Sequence, residues 1–274
     1  MTVTATYYPR DFMARVIFAW LFLVLVYFFA TNTLLSQMQQ PVLIYPGSDN
    51  TFWLLHVLRI PQFLLQHYWA ALAFDIVLTV SCIICIVVPD QKLFTRITII
   101  GVWLLYVCYC SAAGKHYAQI GYLLTPIPFF AVSEQRFSLL WDCLRYWVCF
   151  LYFSGGVYKI YYGGFGASDD MTGILQVMNA EWLVFNKEAA QASNIQYLIE
   201  HPALSQWLFR FATVVDLAML VGFFTKRFDR VLLAGLLIFH LANYFLLHIS
   251  FMEQSLIFAP FLPWKRMANY VQSK

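Results

Sequence analysis

Long apolar runs, separated by short polar segments, organise this chain from end to end. An α-helix needs about 20 mostly apolar residues to cross the hydrocarbon layer of a bilayer. Two apolar pieces, 119–132 and 251–262, are shorter, and the first contains Pro126 and Pro128, so we predict short or broken spans there. The longer runs predict transmembrane helices over residues 16–35, 68–88, 97–113, 139–162, 204–224 and 231–249.

The positions of the cations predict how these helices are oriented. Loops on the cytoplasmic side of a membrane carry more lysine and arginine than loops on the other side. If 119–132 did not cross, the basic loop that begins at Lys226 would lie outside, against this rule. With eight spans and both termini in the cytoplasm, only Arg59, Lys115 and Lys187 lie in outer loops. The cytoplasmic side of this eight-span arrangement holds Lys92, Arg96, Arg136, Lys226, Arg227, Arg230, Lys265, Arg266 and Lys274.

Composition places the protein in the membrane class. Of its 274 residues 61% are hydrophobic and 11% are charged, and the mean hydropathy is +0.66, whereas soluble domains have about 25% charged residues. We therefore predict an all-α, polytopic bundle of transmembrane helices in the cell membrane, surrounded by lipid. We expect a single domain over residues 1–274, without a soluble luminal domain. The net charge of +3 is small and scattered, which argues against a nucleic-acid partner.

The six cysteines do not indicate a metal or redox site. All of them lie in or beside apolar runs, and Cys82 and Cys85, which have redox spacing, fall in the middle of a predicted span. A reactive thiol needs an exposed, electropositive setting. We therefore interpret the cysteines as packing residues and expect no metal cofactor.

One apolar stretch, LRYWVCFLYFSGGVYKI, carries an ionisable residue near its end. Arg145, Tyr152 and Lys159 are seven residues apart, so a helix places all three on one face. Gly155 and Gly156 precede the lysine by four and three residues and are predicted to leave open space beside its ammonium group. A lysine in a membrane helix usually faces the bundle interior or a wet cavity. The alternative is a lysine that extends its amine to the membrane interface.

Two histidines are predicted to lie near this lysine. In the eight-span arrangement Lys159 lies in the outer leaflet, His116 at the outer end of the third span and His240 at about mid-depth. The three can therefore share a cavity that opens to the outer face, and Asn243 lies on the same helix face as His240. The structural alternatives are an interfacial His116, a His240 that pairs with Asn243 or a neighbouring helix, and an Asp216 that neutralises Arg145.

The lysine helix also resembles part of a known family. Leu144-Arg145, Tyr152-Phe153 and Gly156-Val157-Tyr158-Lys159 match, in one ungapped helix, a pattern of the horizontally transferred transmembrane (HTTM) family. This family includes the membrane part of vitamin K-dependent γ-glutamyl carboxylase. Further matches follow the same order along the chain, at His116-Tyr117, 180–185, Asp216-Leu217 and Phe239-His240.

The resemblance implies a membrane enzyme that acts on a lipid-soluble quinol or on a peptide at the outer face. In the carboxylase the final lysine of the motif deprotonates vitamin K hydroquinone, a role that maps onto Lys159, and the matching histidine, His116, assists it. The implied reaction is oxygenation of the quinol to a strong base, abstraction of a glutamyl γ-proton and addition of carbon dioxide. The residues expected to contact vitamin K hydroquinone or another quinol are Arg145, Tyr152, Gly155, Gly156, His240 and Asn243.

This chain departs from the carboxylase in two ways. It has no counterpart of the large luminal domain within its 274 residues, so a separate soluble subunit is an expected partner. The carboxylase motif has a pair of lysines, where this chain has Tyr158 and Lys159. A lysine acts as a base only when neutral, a state that removal from water favours, provided that no carboxylate lies close to it.

Two other functions stay open on the sequence. One is a non-carboxylating membrane factor for the maturation or export of a secreted peptide, because the sporulation-delaying toxin system uses a membrane protein of the same family. The other is a transporter, a class that usually shows paired inverted repeats or broken helices at matching positions. The sequence shows no internal repeat. Residues 163–202 form the most polar part of the chain.

Overall fold

The computed structural model describes residues 8–38, 57–113, 120–166, 170–249, 252 and 254–273. Within these ranges every regular element is a helix, which confirms the all-α class. The first half contains α1 (Arg10–Ala30), α2 (Ile60–Gln66), α3 (Tyr68–Val87), α4 (Lys92–Ala113), α5 (Ile120–Leu124), a 3₁₀ helix (Ile127–Phe130) and α6 (Glu134–Tyr161). The second half contains α7 (Asp170–Phe185), α8 (Ala190–Glu200), α9 (Pro202–Ala218), α10 (Val221–Phe224), α11 (Asp229–Leu247), a 3₁₀ helix (Ser255–Phe261) and α12 (Trp264–Gln272).

Five stretches of the described chain are long and apolar enough to cross a membrane. They are α1, α3, the Lys92–Tyr109 part of α4, the continuous stretch Pro202–Phe224 and α11, with mean hydropathies from 1.4 to 2.6. Each overlaps a predicted span, and together they indicate a membrane protein. The 28-residue helix α6 is not one of the five, because its tyrosines, Arg145 and Lys159 lower its hydropathy.

The chain divides into two compact units. The first comprises Met1–Asp142 and Met252–Lys274, and the second comprises Cys143–Phe251. In the first unit α3 packs against both α1 and α4. The Cys82 thiol donates to the Phe18 carbonyl, 3.2 Å away, and Asp75 accepts a 2.8 Å hydrogen bond from the Ser36 backbone N–H. Asp75 thus stabilises the turn after α1, which is a structural role.

The two short apolar pieces of the first unit pack against each other. Thr125 Oγ1 donates to the Leu256 carbonyl, 3.0 Å away, and a Cβ added to Gly121 would lie 2.4 Å from the Gln254 carbonyl oxygen. This close backbone contact requires glycine. The 3₁₀ helix Ser255–Phe261 is about 14 Å long. Its neighbours shield it, because it is buried from Leu256 onward.

The second unit contains the rest of α6 together with α7 to α11. Residues 163–202, which the sequence analysis treated as a polar segment, include the helices α7 and α8. In α7, Met171 and Leu175 are four residues apart and pack with Leu198 of α8 in one apolar cluster. Leu208 and Phe209 of α9 and the last residues of α11 pack against this cluster. The two polar helices thus pack through this cluster against α9 and α11.

Candidate functional site

An ion pair joins α6 and α9 in the second unit. Lys159 Nζ donates to Asp216 Oδ2 at 2.7 Å, and the Asp216 side chain is 4% exposed whereas that of Lys159 is 24% exposed. The ammonium group also lies over two aromatic rings, 5.6 Å from the centroid of Phe209 and 5.1 Å from that of Phe239. Aromatic faces attract cations at such distances. One carboxylate and two aromatic rings therefore stabilise the positive charge of Lys159.

This geometry corrects two expectations about the lysine. A neutral Lys159 required that no carboxylate lie close to it, and Asp216 is in direct contact with it. Asp216 was expected to neutralise Arg145, but the carboxylate that contacts Arg145 is that of Asp229. The reason is geometric, because Lys159 faces α9 directly whereas Arg145 lies four helical turns earlier, about 21 Å along α6.

The two glycines before the lysine bring Asp216 to it. A Cβ on Gly156 would lie 3.0 Å from Asp216 Cβ and 3.1 Å from side-chain atoms of Leu217, and a Cβ on Gly155 would lie 4.0 Å from Asp216 Oδ2. The contacts at Gly156 are tight, whereas the one at Gly155 is an ordinary van der Waals contact. The expected open space beside the ammonium group is therefore filled by α9. The glycines allow close approach of the two helices, which places the carboxylate within reach of the amine.

Lys159 lines a cavity of about 260 Å³ in the second unit. Its walls are almost entirely apolar, and Asn243, a predicted ligand-binding residue, is the other strongly polar residue among them. The residues that line it come from α7, α9 and α11 as well as α6: Met171, Ile174, Leu208, Phe209, Phe211, Ala212, Ile238, Phe239, Ala242, Asn243, Leu246 and Leu247.

Tyr152 and His240 form a second polar pair between α6 and α11. The Tyr152 hydroxyl and His240 Nε2 are 2.6 Å apart, and both side chains are buried. The prediction that His240 pairs with a neighbouring helix is confirmed. The direction of the hydrogen bond depends on the histidine tautomer. The pair lies two turns before Lys159 on α6.

Arg145 binds the turn between α9 and α11. Its Nε and Nη2 contact the two carboxylate oxygens of Asp229, Nη1 donates to the Gly222 carbonyl at 2.6 Å, and Nη2 also donates to the Thr225 carbonyl at 2.9 Å. The side chain is 1% exposed. These bonds occupy the planar fork of the guanidinium group. Asp229 was not predicted as a partner, because it lies in a strongly basic loop and looks like a solvated charge.

Two side-chain amides outside the predicted site form hydrogen bonds with the C-terminal end of α11, which lines the cavity. Asn179 Nδ2 donates to the Leu246 carbonyl at 2.8 Å, and Gln191 Nε2 donates to the Phe245 carbonyl. The last carbonyls of a helix have no partner within it, so these amides cap the C-terminal end of α11. No sequence motif marks them, because polar residues on α7 and α8 look like ordinary surface positions.

The structure thus brings Lys159, Gly155, Gly156 and Asn243 to one region of the second unit. His116, the predicted assisting residue, lies outside the described residues. Comparison of the chain with models of known protein families, with curated proteins and with solved structures gives no match. The interpretation of the site therefore rests on its own geometry and on the resemblance of its motifs.

Proposed function

We propose that the protein is a polytopic membrane enzyme that binds a lipid-soluble quinol beside Lys159 and uses the Lys159–Asp216 pair to accept a proton from it. The observation that carries this proposal is an ion pair at the wall of an apolar cavity, flanked by the rings of Phe209 and Phe239. Small-molecule sites are mostly apolar concavities with a few placed polar groups, which is the arrangement found in this unit.

The residues present fit a quinol. The cavity of about 260 Å³ is slightly smaller than the roughly 300–1,000 Å³ of typical ligand sites, so it suits part of a flat aromatic molecule or a hydrocarbon tail. Asp216 Oδ1 is buried and has no hydrogen-bond partner among the described residues, which leaves an acceptor next to the amine. When bound, the quinol supplies the oxidisable hydroxyl on which the carboxylase-like reaction depends.

The ion pair can hold and accept a proton at defined atoms. Lys159 Nζ donates a hydrogen bond to Asp216 Oδ2 over 2.7 Å. In an apolar site the neutral amine and neutral acid cost less desolvation than the two ions, so the proton can move to Oδ2 and leave the amine free to accept another. The pair then carries one positive charge, which the two phenylalanine rings stabilise.

We also propose the eight-span topology with both termini in the cytoplasm. Contacts within the first unit support it. A small cavity at the start of α1 is lined by Arg10, Asp90, Lys92 and Glu134, so these four residues lie at one end, the end predicted to be cytoplasmic.

Two ring contacts and a hydrogen bond also support this topology for the short apolar piece and the C-terminal helix. Tyr122 packs on Phe28 near the far end of α1, with ring centroids 5.5 Å apart, whereas the Ala131 carbonyl accepts a 2.7 Å hydrogen bond from Arg10. Residues 122–131 therefore run from one end of α1 toward the other. Trp264 packs on Phe12, with centroids 6.2 Å apart, which supports a C-terminal helix on the same side as the N-terminus.

The test is quinol turnover by the full chain reconstituted in lipid nanodiscs. Lys159→Ala is expected to retain quinone binding and to lose quinol oxidation and the incorporation of labelled carbon dioxide into added glutamyl peptide. Lys187→Ala, a variant of an exposed lysine, is the matched control and is expected to behave as wild type. Unchanged turnover in Lys159→Ala would rule out the proposed mechanism. Turnover of quinol without carbon dioxide incorporation would instead favour a non-carboxylating maturation factor.

A further inference from the structure

Helix α7 has two apolar faces, and one of them is exposed. The inner face includes Met171 and Leu175, which pack with Leu198 of α8. Residues three and four apart lie on one side of a helix, and such a series forms a second, outward-facing stripe. This apolar stripe consists of Ile174, Val177, Met178, Val184 and Phe185, whose exposed fractions range from 37% to 78%.

The exposed face of the next helix, α8, is polar. Its inner face contains Ala192, Ile195 and Leu198, as is typical of an amphipathic helix beside water. Its exposed positions include Ser193, Asn194, Gln196, Tyr197 and Glu200. Helix α7, by contrast, contains neither lysine nor arginine. Two consecutive helices of one unit thus expose different kinds of surface, which indicates that they lie in different surroundings.

The apolar stripe is continuous with exposed surfaces of α9 and α11. Ile174 lines the cavity beside Lys159 together with Phe211 of α9 and Ile238 of α11, and Phe211 and Ile238 are 52% and 54% exposed. Helices α9 and α11 belong to the stretches that are long and apolar enough to cross a membrane. Exposed apolar side chains on such helices face acyl chains. The same acyl chains therefore reach the stripe at Ile174.

Helix α7 is too short to cross the membrane, and the segment that contains it returns to the side that it left. Its 16 residues extend about 24 Å, whereas the hydrocarbon layer is about 30 Å thick. The chain leaves α6 near the start of α9, where Gln206 donates to the Gly164 carbonyl at 2.7 Å. Helix α9 begins shortly after α8 ends. The segment from α6 to α9 therefore leaves and rejoins the spans at one membrane surface.

The one charged residue within the stripe, Glu181, lies near the end of α11. Beside it, Asn179 donates to a carbonyl in the last turn of α11 at 2.8 Å, and the Trp182 ring lies 4.3 Å from that of His248, which follows α11. Tryptophan is common at the level of the lipid head groups, so Glu181 is within reach of water. The opposite end of α7 shares the cavity with Ile238, nine residues before the end of α11, and thus lies deeper.

We propose that α7 is embedded in the membrane leaflet in which α11 ends, and that its apolar stripe binds the acyl chains of lipids while α8 lies on the water side. A helix can enter the hydrocarbon layer in this way because its backbone hydrogen bonds are made internally. The inference requires that α9 and α11 cross the membrane and is independent of any quinol. The quinol turnover test can therefore fail without affecting it, and the reverse is also true.

The experiment measures the accessibility of spin labels to oxygen, which dissolves in lipid, and to a water-soluble nickel chelate. The full chain, with its native cysteines replaced, is placed in nanodiscs that hold one chain each. Val177→Cys and Met178→Cys probe the stripe, Asn194→Cys on the exposed face of α8 is the matched control, and Leu241→Cys, exposed on α11, is the reference for acyl chains. We expect the ratio of oxygen to chelate accessibility in the stripe to be several-fold higher than at Asn194 and close to that at Leu241.

Three results would overturn the inference. A ratio in the stripe equal to that at Asn194 would place the stripe in water. Low accessibility to both agents would show that protein covers it. Accessibility that is lost when nanodiscs hold two chains would identify a second copy as the occupant.

Photo-cross-linking decides the question if the chain without native cysteines does not fold. The otherwise native chain carries Val177→p-benzoylphenylalanine or, as the control, Asn194→p-benzoylphenylalanine. Mass spectrometry is expected to show lipid adducts for the first variant and none for the second. Lipid adducts with Leu241→p-benzoylphenylalanine but none with the Val177 variant would overturn the inference.

Discussion

Lys159 Nζ lies 2.7 Å from Asp216 Oδ2, although the two residues are 57 positions apart and belong to different helices. This contact explains how a charged amine is tolerated in a mostly apolar unit. A buried charge is costly unless it is paired and hydrogen-bonded. The pair also changes the chemistry expected of the lysine, because the amine acts together with a carboxylate rather than as an isolated base.

Removing either partner of this pair is expected to destabilise the protein. Lys159→Ala and Asp216→Ala should each lower the free energy of unfolding by roughly 1–3 kcal/mol, less than for a fully buried pair because the lysine side chain is 24% exposed. The double variant should lose less than the sum of the two, since neither charge is then left unpaired. Chemical unfolding in detergent measures this, and strictly additive losses would contradict a direct interaction.

Gly156→Ala and Gly173→Ala are expected to have opposite effects. A Cβ at Gly156 meets Asp216 Cβ at 3.0 Å, whereas a Cβ at Gly173 in α7 meets nothing within 4 Å. The first substitution should separate α6 from α9 and cost roughly 1–3 kcal/mol. The second should stabilise α7 by about 0.5–1 kcal/mol through helix propensity. Thermal unfolding of both variants tests the prediction, and equal shifts in Tm would refute the proposed close approach at Gly156.

Arg145→Lys is expected to be strongly destabilising despite the retained charge. The guanidinium group bonds Asp229 and the carbonyls of Gly222 and Thr225, and an ammonium group cannot reproduce this fork. We expect a loss of roughly 2–4 kcal/mol. Arg227→Lys, at an exposed position, is the control. Similar unfolding midpoints for the two variants would show that the fork geometry contributes little.

Tyr152→Phe removes the hydroxyl that bonds His240 Nε2. Because this pair is buried, the loss should cost roughly 1–3 kcal/mol. Tyr161→Phe, on the same helix but 80% exposed, should change stability little. The stability of both variants in detergent provides the comparison. If the stability of Tyr152→Phe equals that of the wild type, the hydrogen bond makes no net contribution to stability.

The eight-span arrangement predicts which engineered cysteines an impermeant thiol reagent can label in intact cells. Lys187→Cys, in a predicted outer loop, should be labelled, whereas Lys92→Cys, Arg136→Cys and Arg227→Cys should react only after the membrane is permeabilised. A variant without the native cysteines, labelled in parallel, gives the background. Labelling of Arg227→Cys in intact cells would favour the arrangement in which residues 119–132 do not cross.

How far the sequence predicted the site depended on the kind of residue. Lys159 was identified because a lysine in an apolar helix is unusual, and Asn243 because it shares a helix face with His240. Phe209 and Asp229 were not identified, because phenylalanine is common throughout the chain and Asp229 lies among cations. Phe239 was named only as part of a motif match, without a role of its own. The helices α7 and α8 were missed because their polar residues conceal the apolar positions that pack against α9 and α11.

By itself the sequence determined the helical class and the positions of the five long apolar helices, because these follow from local hydropathy and from the length needed to cross a bilayer. It also determined that Lys159 would have to be paired, shielded or drawn to the interface. Only the tertiary structure decided which carboxylate pairs with which cation, since Asp216 and Asp229 lie on or beside neighbouring helices. The choice between them depends on where α9 and α11 contact α6, and that placement is set by the glycines at the contact and by packing, which no local pattern encodes.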